Sequence, residues 1–182
     1  LQPENETICQ EITKDINRLD MITKRFSQIG TNPELTPINI IPIIEGAMNY
    51  LCSRSSKKVI YDINLPKEEE IILPINQCLL EWVLENLSKN AIDAMGGIGT
   101  LSLEMSQDNK RVIIDISDTG KGMQKKEFKK IFEAGYTTKE RGWGMGLSLA
   151  KRIIEEYHHG KIFVKQSVIG KGTTFRIMLK KL

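Results

Sequence analysis

The sequence predicts an α+β fold in which helices pack on one face of a largely antiparallel sheet, preceded by an amphipathic helix. Three observations carry that expectation. Apolar residues recur at helical spacing over 39–53, 74–95 and 146–158. Alternating apolar runs, the mark of half-buried strands, cover 58–66, 99–106, 111–117, 161–166 and 173–179. Consecutive runs at 99–117 and at 161–179 are joined by short polar or Gly-rich links, which suits antiparallel pairing.

The elements follow in order. Over 5–29, Ile8, Ile12, Leu19, Ile22, Phe26 and Ile29 fall at spacings of four and three apart from one gap at Asp15. That is a heptad seam. Its partner is either another helix, from upstream sequence or a second chain, or the helix's own domain. Gly30 to Pro37 holds Gly30, Asn32, Pro33 and Pro37 and marks a boundary, so residues 1–30 and 31–182 read as separate units. Asn39–Ser53 carries Ile43, Ile44, Ala47, Met48 and Leu51 at core spacing, with Pro42 in the first turn. Val59, Tyr61, Ile63 and Leu65 alternate as in a strand. Pro74–Met95 is the strongest helix, buried along Leu79, Leu80, Val83, Leu87 and Ala91 and ended by Gly96-Gly97. The link between the next two strands, around Asn109-Lys110, lacks the glycine of tight two-residue hairpins, which leaves its turn type open. A short helix is expected at Gln124–Phe132, a Gly-rich loop at Glu133–Met145, and a helix at Gly146–His158. Two strands follow, joined by Gly170-Lys171-Gly172.

Composition excludes several classes. Hydrophobic residues make up 40% of the 182 residues, enough for a core. Lys and Arg total 26 against 23 Asp and Glu, and a net charge of +3 gives no ground for a nucleic-acid or membrane partner. No apolar run approaches the roughly 20 residues of a membrane span. The first thirty residues are mostly charged and polar, unlike a signal peptide. Cys9, Cys52 and Cys78 form neither a metal motif nor a disulfide framework, and a reduced, cytoplasmic setting is expected.

Three groups of residues could carry chemistry. Asn86 and Asn90 are four apart and Asp93 three further on, which places them on one stripe beside the buried one. They are either a solvated face or a row of oxygen ligands toward a Mg²⁺–phosphate group. Asp118-Thr119-Gly120-Lys121-Gly122 ends a strand. It is either an ordinary turn or a carboxylate placed to accept the exocyclic amine of adenine, with glycines that let a planar ligand approach the backbone. Gly142-Trp143-Gly144-Met145-Gly146-Leu147 opens a helix, after Thr137, Thr138 and Lys139. It is either a flexible loop or a phosphate cradle at a helix N-terminus. It is neither a Walker loop nor a dinucleotide fingerprint. Trp143 reads as a packing residue of that loop.

As a set, these motifs resemble those of sensor histidine kinases in the GHKL ATPase superfamily. Glu85-Asn86-Leu87-Ser88-Lys89-Asn90-Ala91 resembles the N box, Asp118 to Gly122 the first glycine box, and Gly142 to Leu147 the second. Phe128 and Phe132 with Tyr136-Thr137-Thr138-Lys139 resemble the F box, and Gly172-Thr173-Thr174-Phe175 the closing strand motif. The resemblance covers about residues 38–182. It implies a two-layer α/β sandwich, the Bergerat fold, binding ATP and Mg²⁺. By that resemblance Asn90 coordinates Mg²⁺, Asn86 lies near the phosphates and Lys139 reaches the terminal ones, and these three are the catalytic candidates. Asp118 accepts the adenine amine, supported by Thr173, and Gly120 and Gly122 shape the pocket. Gly142, Gly144, Gly146 and Leu147 form the lid and its hinge, and Thr137 and Thr138 add contacts.

Departures from the family pattern sharpen the expectation. Hydrolytic members have a Glu four residues before the Mg²⁺ Asn. Here that position is Asn86, while Glu85 is turned about 100° around the helix. The resemblance therefore implies phosphoryl transfer to a protein rather than hydrolysis. Asp93 stands where kinases often have a basic residue, which puts its phosphate role in doubt, and Glu133-Ala134-Gly135 replaces a common Glu-Pro-Phe. Residues 5–29 resemble the second helix of a dimerisation and phosphoacceptor hairpin, and the helix carrying the acceptor His is not in the chain. His158 and His159, before Gly160, read as surface or capping residues. The implied partners are that upstream helix, a response regulator and a second copy through the N-terminal helix, with any membrane anchor in a longer protein. The alternatives are a GHKL-type serine kinase and a degenerate interaction module.

Overall fold

The computed structural model describes residues 33–66, 70–139 and 143–181. The expected helix at 5–29 and Gly142 lie outside the described residues. In chain order the elements are β1 (Thr36–Asn39), α1 (Ile40–Arg54), β2 (Val59–Asn64), β3 (Ile72–Ile75), α2 (Gln77–Ala94), β4 (Gly99–Gln107), β5 (Arg111–Asp118), α3 (Gly146–Arg152), β6 (Lys161–Val168) and β7 (Gly172–Lys180).

Five strands form one sheet in the order β2-β4-β5-β7-β6. Only the β2–β4 pair is parallel; the others are antiparallel. Two parallel strands need a crossover, and α2 supplies it. Side chains alternate across the sheet. Leu101, Leu103 and Met105 of β4, Val112, Ile114 and Ile116 of β5, Ile162 and Val164 of β6, and Phe175, Ile177 and Leu179 of β7 are buried on one face. Leu79, Leu80, Val83, Leu84 and Leu87 of α2 meet them from the helix layer, with α1 and α3 packed beside α2. The fold is thus the α+β two-layer arrangement that the periodicities predict. On the opposite face Asp115 accepts from Arg176 at 2.7 Å and from Lys165 at 2.8 Å. Burial raises its carboxyl, but those two cations outweigh burial and hold it below the usual range.

Several elements differ from expectation, among them the helix over 146–158, which is α-helical only over Gly146–Arg152 and winds as a π-helix over Ile153–Tyr157. Residues 72–75 are a strand, not the first turn of α2. Leu73 and Ile75 are buried in alternation and pair with β1, and the chain turns helical only after Asn76. That β1–β3 ribbon caps both helices. Asn39 Oδ1 accepts from Ile41 N and from Ile71 N, while Asn76 Oδ1 accepts from Leu79 N at 3.1 Å and its Nδ2 donates to the Glu34 carbonyl. Residues 124–132 are two separate 3₁₀ turns, Lys125–Glu127 and Lys130–Phe132, instead of one helix. An α-helix there would set Lys125 beside Lys129 and Lys126 beside Lys130, like charges at i,i+4. The β4–β5 link closes without glycine because the Asp108 carboxylate accepts from Lys110 N and Arg111 N at 2.7 and 2.8 Å.

His158 is not a surface residue: it is 4% exposed. Its Nε2 accepts the Asn76 N–H at 3.0 Å, so the proton sits on Nδ1, which donates to the Ile153 carbonyl at 2.9 Å. The imidazole therefore ties the start of α2 to the segment that follows α3. Burial pushes it below its ordinary value, the bond to Ile153 works against that, and neighbouring His159 adds to the depression. Because the folded value lies below the unfolded one, stability is intact above about pH 6.5 and falls as pH drops through that value toward the folded one. Thermal unfolding of the wild type from pH 7.5 to 5.5 should show that loss. His158→Leu should cost about 1–3 kcal/mol at neutral pH, by leaving the Asn76 N–H without its acceptor, and should flatten the acid-side slope.

Candidate functional site

α2, the end of β5 and the start of α3 converge on one place. Asp118, the last residue of β5, is 7% exposed. Its carboxylate accepts from Gly120 N at 2.7 Å and from the Thr173 backbone N–H. Burial nevertheless dominates and pushes the carboxyl above the usual range. Gly120 lies against the C-terminal end of α2, where a Cβ would stand 2.6 Å from the Ala94 carbonyl oxygen. Lys121 N donates to that same oxygen at 3.0 Å. Gly122, at φ +66°, passes so close to the Val168 carbonyl that a side chain would collide with it.

The turn between β6 and β7 completes this wall. Thr173 is 5% exposed, as the expected support for Asp118 requires. Its hydroxyl lies 2.9 Å from Ser167 Oγ, which accepts from Met123 N at 2.8 Å and lies 3.0 Å from the Gly172 carbonyl. Ser167 was not legible as a site residue. It faces Thr173 because β6 bulges between Val164 and Gln166; without the extra residue Gln166 would stand there. Thr119 is a second addition, accepting from Thr100 N at 3.0 Å.

Along α2, Asn86, Asn90 and Asp93 form the expected stripe. Asn86 Nδ2 is buried without a hydrogen-bond partner among the described residues, and such a donor is costly unless something accepts from it. A Cβ on Gly146, the first residue of α3, would stand 2.5 Å from Asn86 Oδ1. Asn86 therefore sits directly against the α3 N-terminus, with half-buried Leu147 next in that turn. Asn90 Oδ1 accepts from Lys139 Nζ at 2.9 Å, and the same ammonium is 2.6 Å from Asp93 Oδ2.

The preceding loop is anchored twice. Phe132 is buried with its ring edge-to-face on Phe175 at 6.2 Å. Tyr136 OH donates to Glu127, whose other oxygen accepts from Gln124 N. Gly144 packs on the backbone of Gly135, whose N–H donates to the Gly144 carbonyl at 3.0 Å. The room comes from Gly144, where a Cβ would stand 2.4 Å from the Gly135 carbonyl carbon, whereas a Cβ on Gly135 would meet nothing within 4 Å. Thr137 Oγ1 accepts from Lys139 N at 3.1 Å, and Thr137 and Thr138 are both exposed. Trp143, expected to pack, is 92% exposed.

Residues 76–182 match the family described as histidine kinase-, DNA gyrase B-, and HSP90-like ATPase. The sensor histidine kinase ZraS of Salmonella typhimurium is 33% identical over 179 residues, which is 97% of this chain and 38% of that protein. The chain therefore spans well under half the length of that curated relative. The catalytic domain of histidine kinase ThkA superposes with a TM-score of 0.73 at 26% identity, covering 81% of this chain and 96% of that one. A structure of ThkA in complex with response regulator protein TrrA gives 0.72 at 23% identity, covering 100% and 53%, a likeness of fold. The match spans most of the two-layer domain and includes α2, both glycine loops and β7, so this chain belongs to the histidine kinase-, DNA gyrase B- and HSP90-like ATPase family.

Proposed function

We propose that the chain is the ATP-binding catalytic part of a sensor histidine kinase, passing the γ-phosphate of ATP to a histidine on a helix outside it. The observation that carries this reading is the convergence of a buried carboxylate, Asp118, and an unpartnered buried amide donor, Asn86, around α2. The first suits an adenine amine and the second a phosphate oxygen. The family and the ZraS match support the same reading.

The residues have separate tasks in it. Asp118 accepts the exocyclic amine, held in place by the Gly120 and Thr173 N–H groups. Asn86 donates to a phosphate oxygen, and the N-terminus of α3 adds its free N–H groups around Gly146 and Leu147. Gly120 and Gly122 shape the walls and Gly144 and Gly146 the lid, with Thr137 and Thr138 as further contacts. Lys139 brings positive charge to the terminal phosphates. Among the described residues no group of three or more His, Cys, Asp or Glu could hold a metal alone. A Mg²⁺ shared between the Asn90 carboxamide oxygen and the phosphates fits such a donor set. Bound there, the ion would neutralise the charge of the transferring group.

Transfer breaks the bond from Pγ to the β–γ bridging oxygen, forms a P–N bond on the acceptor imidazole and releases ADP. Hydrolysis would need a base for water, and Asn86 cannot be one. Neighbouring Glu85 is ion-paired to Lys89 at 3.3 Å. His158 cannot be the acceptor, because both ring nitrogens are engaged in the core. The acceptor helix, a response regulator of the kind bound by ThkA, and self-association through residues 1–30 are the proposed partners. No described helix is long and apolar enough to cross a membrane; a cytoplasmic domain of a longer, membrane-anchored protein is the proposed setting.

Calorimetric titration with a non-hydrolysable ATP analogue should give Mg²⁺-dependent binding. Asp118→Asn should weaken it about ten- to hundredfold, the value of a hydrogen bond to a charged acceptor, with no loss of thermal stability. A folded wild-type chain that binds no nucleotide would leave the interaction module as the better reading.

The same titration should depend on pH. The carboxyl of Asp118 is raised and must be ionised to accept the amine. Affinity should therefore decline as pH falls, beginning above the ordinary aspartate value of about 3.9. Asp118→Asn should remove that dependence. With ATP in place of the analogue, a separately produced hairpin with the acceptor His should yield acid-labile phosphohistidine, whereas an acid-stable product would indicate a serine kinase.

A further inference from the structure

One row of side chains crosses three strands at the Asp118 end of the sheet. Thr173 of β7 pairs with Asp118 of β5 on one side and with Ser167 of β6 on the other. Directly paired residues present their side chains on the same face. Asp118, Thr173 and Ser167 therefore stand side by side, on the face that buries Ile116 and Phe175 two residues along. The Ser167 hydroxyl in this row is fully committed. A hydroxyl has one proton to donate and two lone pairs to accept with. A carbonyl oxygen only accepts, so the Ser167 proton goes to the Gly172 carbonyl at 3.0 Å. An amide N–H only donates, so Met123 N takes one lone pair at 2.8 Å. The remaining contact, Thr173 Oγ1 at 2.9 Å, must then donate to the other. Thr173 Oγ1 is left with lone pairs alone, beside a carboxylate that, when ionised, also only accepts.

We propose that Ser167 is a positioning residue that sets base specificity: by holding the Thr173 proton it leaves only acceptors at the Asp118 corner, and so selects 6-amino over 6-oxo purines. The role rests on the nucleotide reading above, in which the exocyclic group of the base meets Asp118. An amino group brings two N–H donors to that corner. A 6-oxo purine brings an oxygen, whose lone pairs face other lone pairs with no proton between them. Sliding the ring so that its N1–H reaches Asp118 gives no relief, because the neighbouring carbonyl still needs a donor and Thr173 has none to offer. A bridging water gives none either: donating to both oxygens uses both of its protons, and it too turns lone pairs to the base. Asp118 and Thr173 are both buried, so an acceptor left unpaired there is costly. Asp118 alone does not make this choice, since a carboxylate accepts equally from the N1–H of a 6-oxo ring. The choice lies in the direction of the Thr173 hydroxyl, and Ser167 sets it.

The test is calorimetric titration with ADP and with inosine diphosphate, both with Mg²⁺, which share ribose and phosphates and differ at the base. The wild type is compared with Ser167→Ala, Ser167→Thr, Thr173→Val and the double variant Ser167→Ala/Thr173→Val, each shown to be folded by thermal unfolding. The wild type should bind ADP about tenfold or more tightly than inosine diphosphate, the scale of one buried unpaired acceptor. Ser167→Ala frees the Thr173 proton to turn to the base, and the preference should fall to near parity, mainly through tighter binding of inosine diphosphate. Where Ser167→Ala does not fold, Ser167→Cys takes its place, nearly the same in shape but a weak acceptor. Ser167→Thr keeps the hydroxyl and should keep the preference. Thr173→Val should lower it, and adding Ser167→Ala to Thr173→Val should change the ratio no further. Three results would overturn the inference: a wild type that binds both nucleotides equally, an equal loss for both in Ser167→Ala with the ratio unchanged, as a purely structural role would give, or a ratio that moves again in the double variant. A wild type that binds neither nucleotide overturns the nucleotide reading, and the inference with it. A wild type that binds ADP while the ratio ignores Ser167 overturns only the role of Ser167.

Discussion

Gly120 meets the carbonyl of Ala94, and Gly172 meets the carbonyl of Asp118, at distances that leave no room for a Cβ. These backbone contacts join the end of β5 to the C-terminus of α2 on one side and to the β6–β7 turn on the other. The strand that delivers Asp118 and the helix that delivers Asn86, Asn90 and Asp93 are separated by the whole of β4. Close approach of main chain to main chain sets the distance between the two groups of side chains. Gly172 also sits at φ +108°, where an L side chain would be strained even with space available.

Once the wall is fixed, the chemistry follows from which polar groups are left incomplete. Asp118 is buried with two backbone donors and still has a raised pKa, so its charge is under-compensated within the protein. Asn86 Nδ2 is buried with no partner among the described residues. Both conditions are unfavourable to the fold taken alone, and both are relieved by a ligand with an amine at one end and oxygens at the other. Asp115 provides the contrast. It is equally buried, but two cations complete its bonding, and it has a structural role on the other face of the sheet.

The layers and most elements were legible because their apolar periods were long and clear, as in Leu79 to Ala91 of α2 and in the five sheet strands. The motifs group Asn86, Asn90, Asp118, Lys139 and Thr173, and the structure puts Lys139 on Asn90 and the Thr173 N–H on Asp118. The β1–β3 ribbon was hidden, since four residues with two prolines facing each other give too short a pattern and its pairing is non-local. The 3₁₀ turns at 125–132 were missed because apolar spacing outweighed the lysine repulsion. Of the two readings of His158, surface or capping, the structure keeps capping of the Asn76 N–H and the Ile153 carbonyl, and a lone histidine carries no sign of the backbone groups that decide between them. Ser167 was invisible for a different reason: its direction depends on a one-residue irregularity in β6 that strand alternation cannot show.

That irregularity also bears on how the molecule behaves among its own copies. Among the described residues β6 is an edge of the five-stranded sheet, with β7 on its inner side. A regular eight-residue edge would offer an open ladder to any exposed strand it met. The bulge breaks the repeat of free N–H and carbonyl groups midway along β6, and Lys161 and Lys165 add charge to the same strand. One extra residue therefore serves solubility as well as geometry, denying other chains a template for sheet extension.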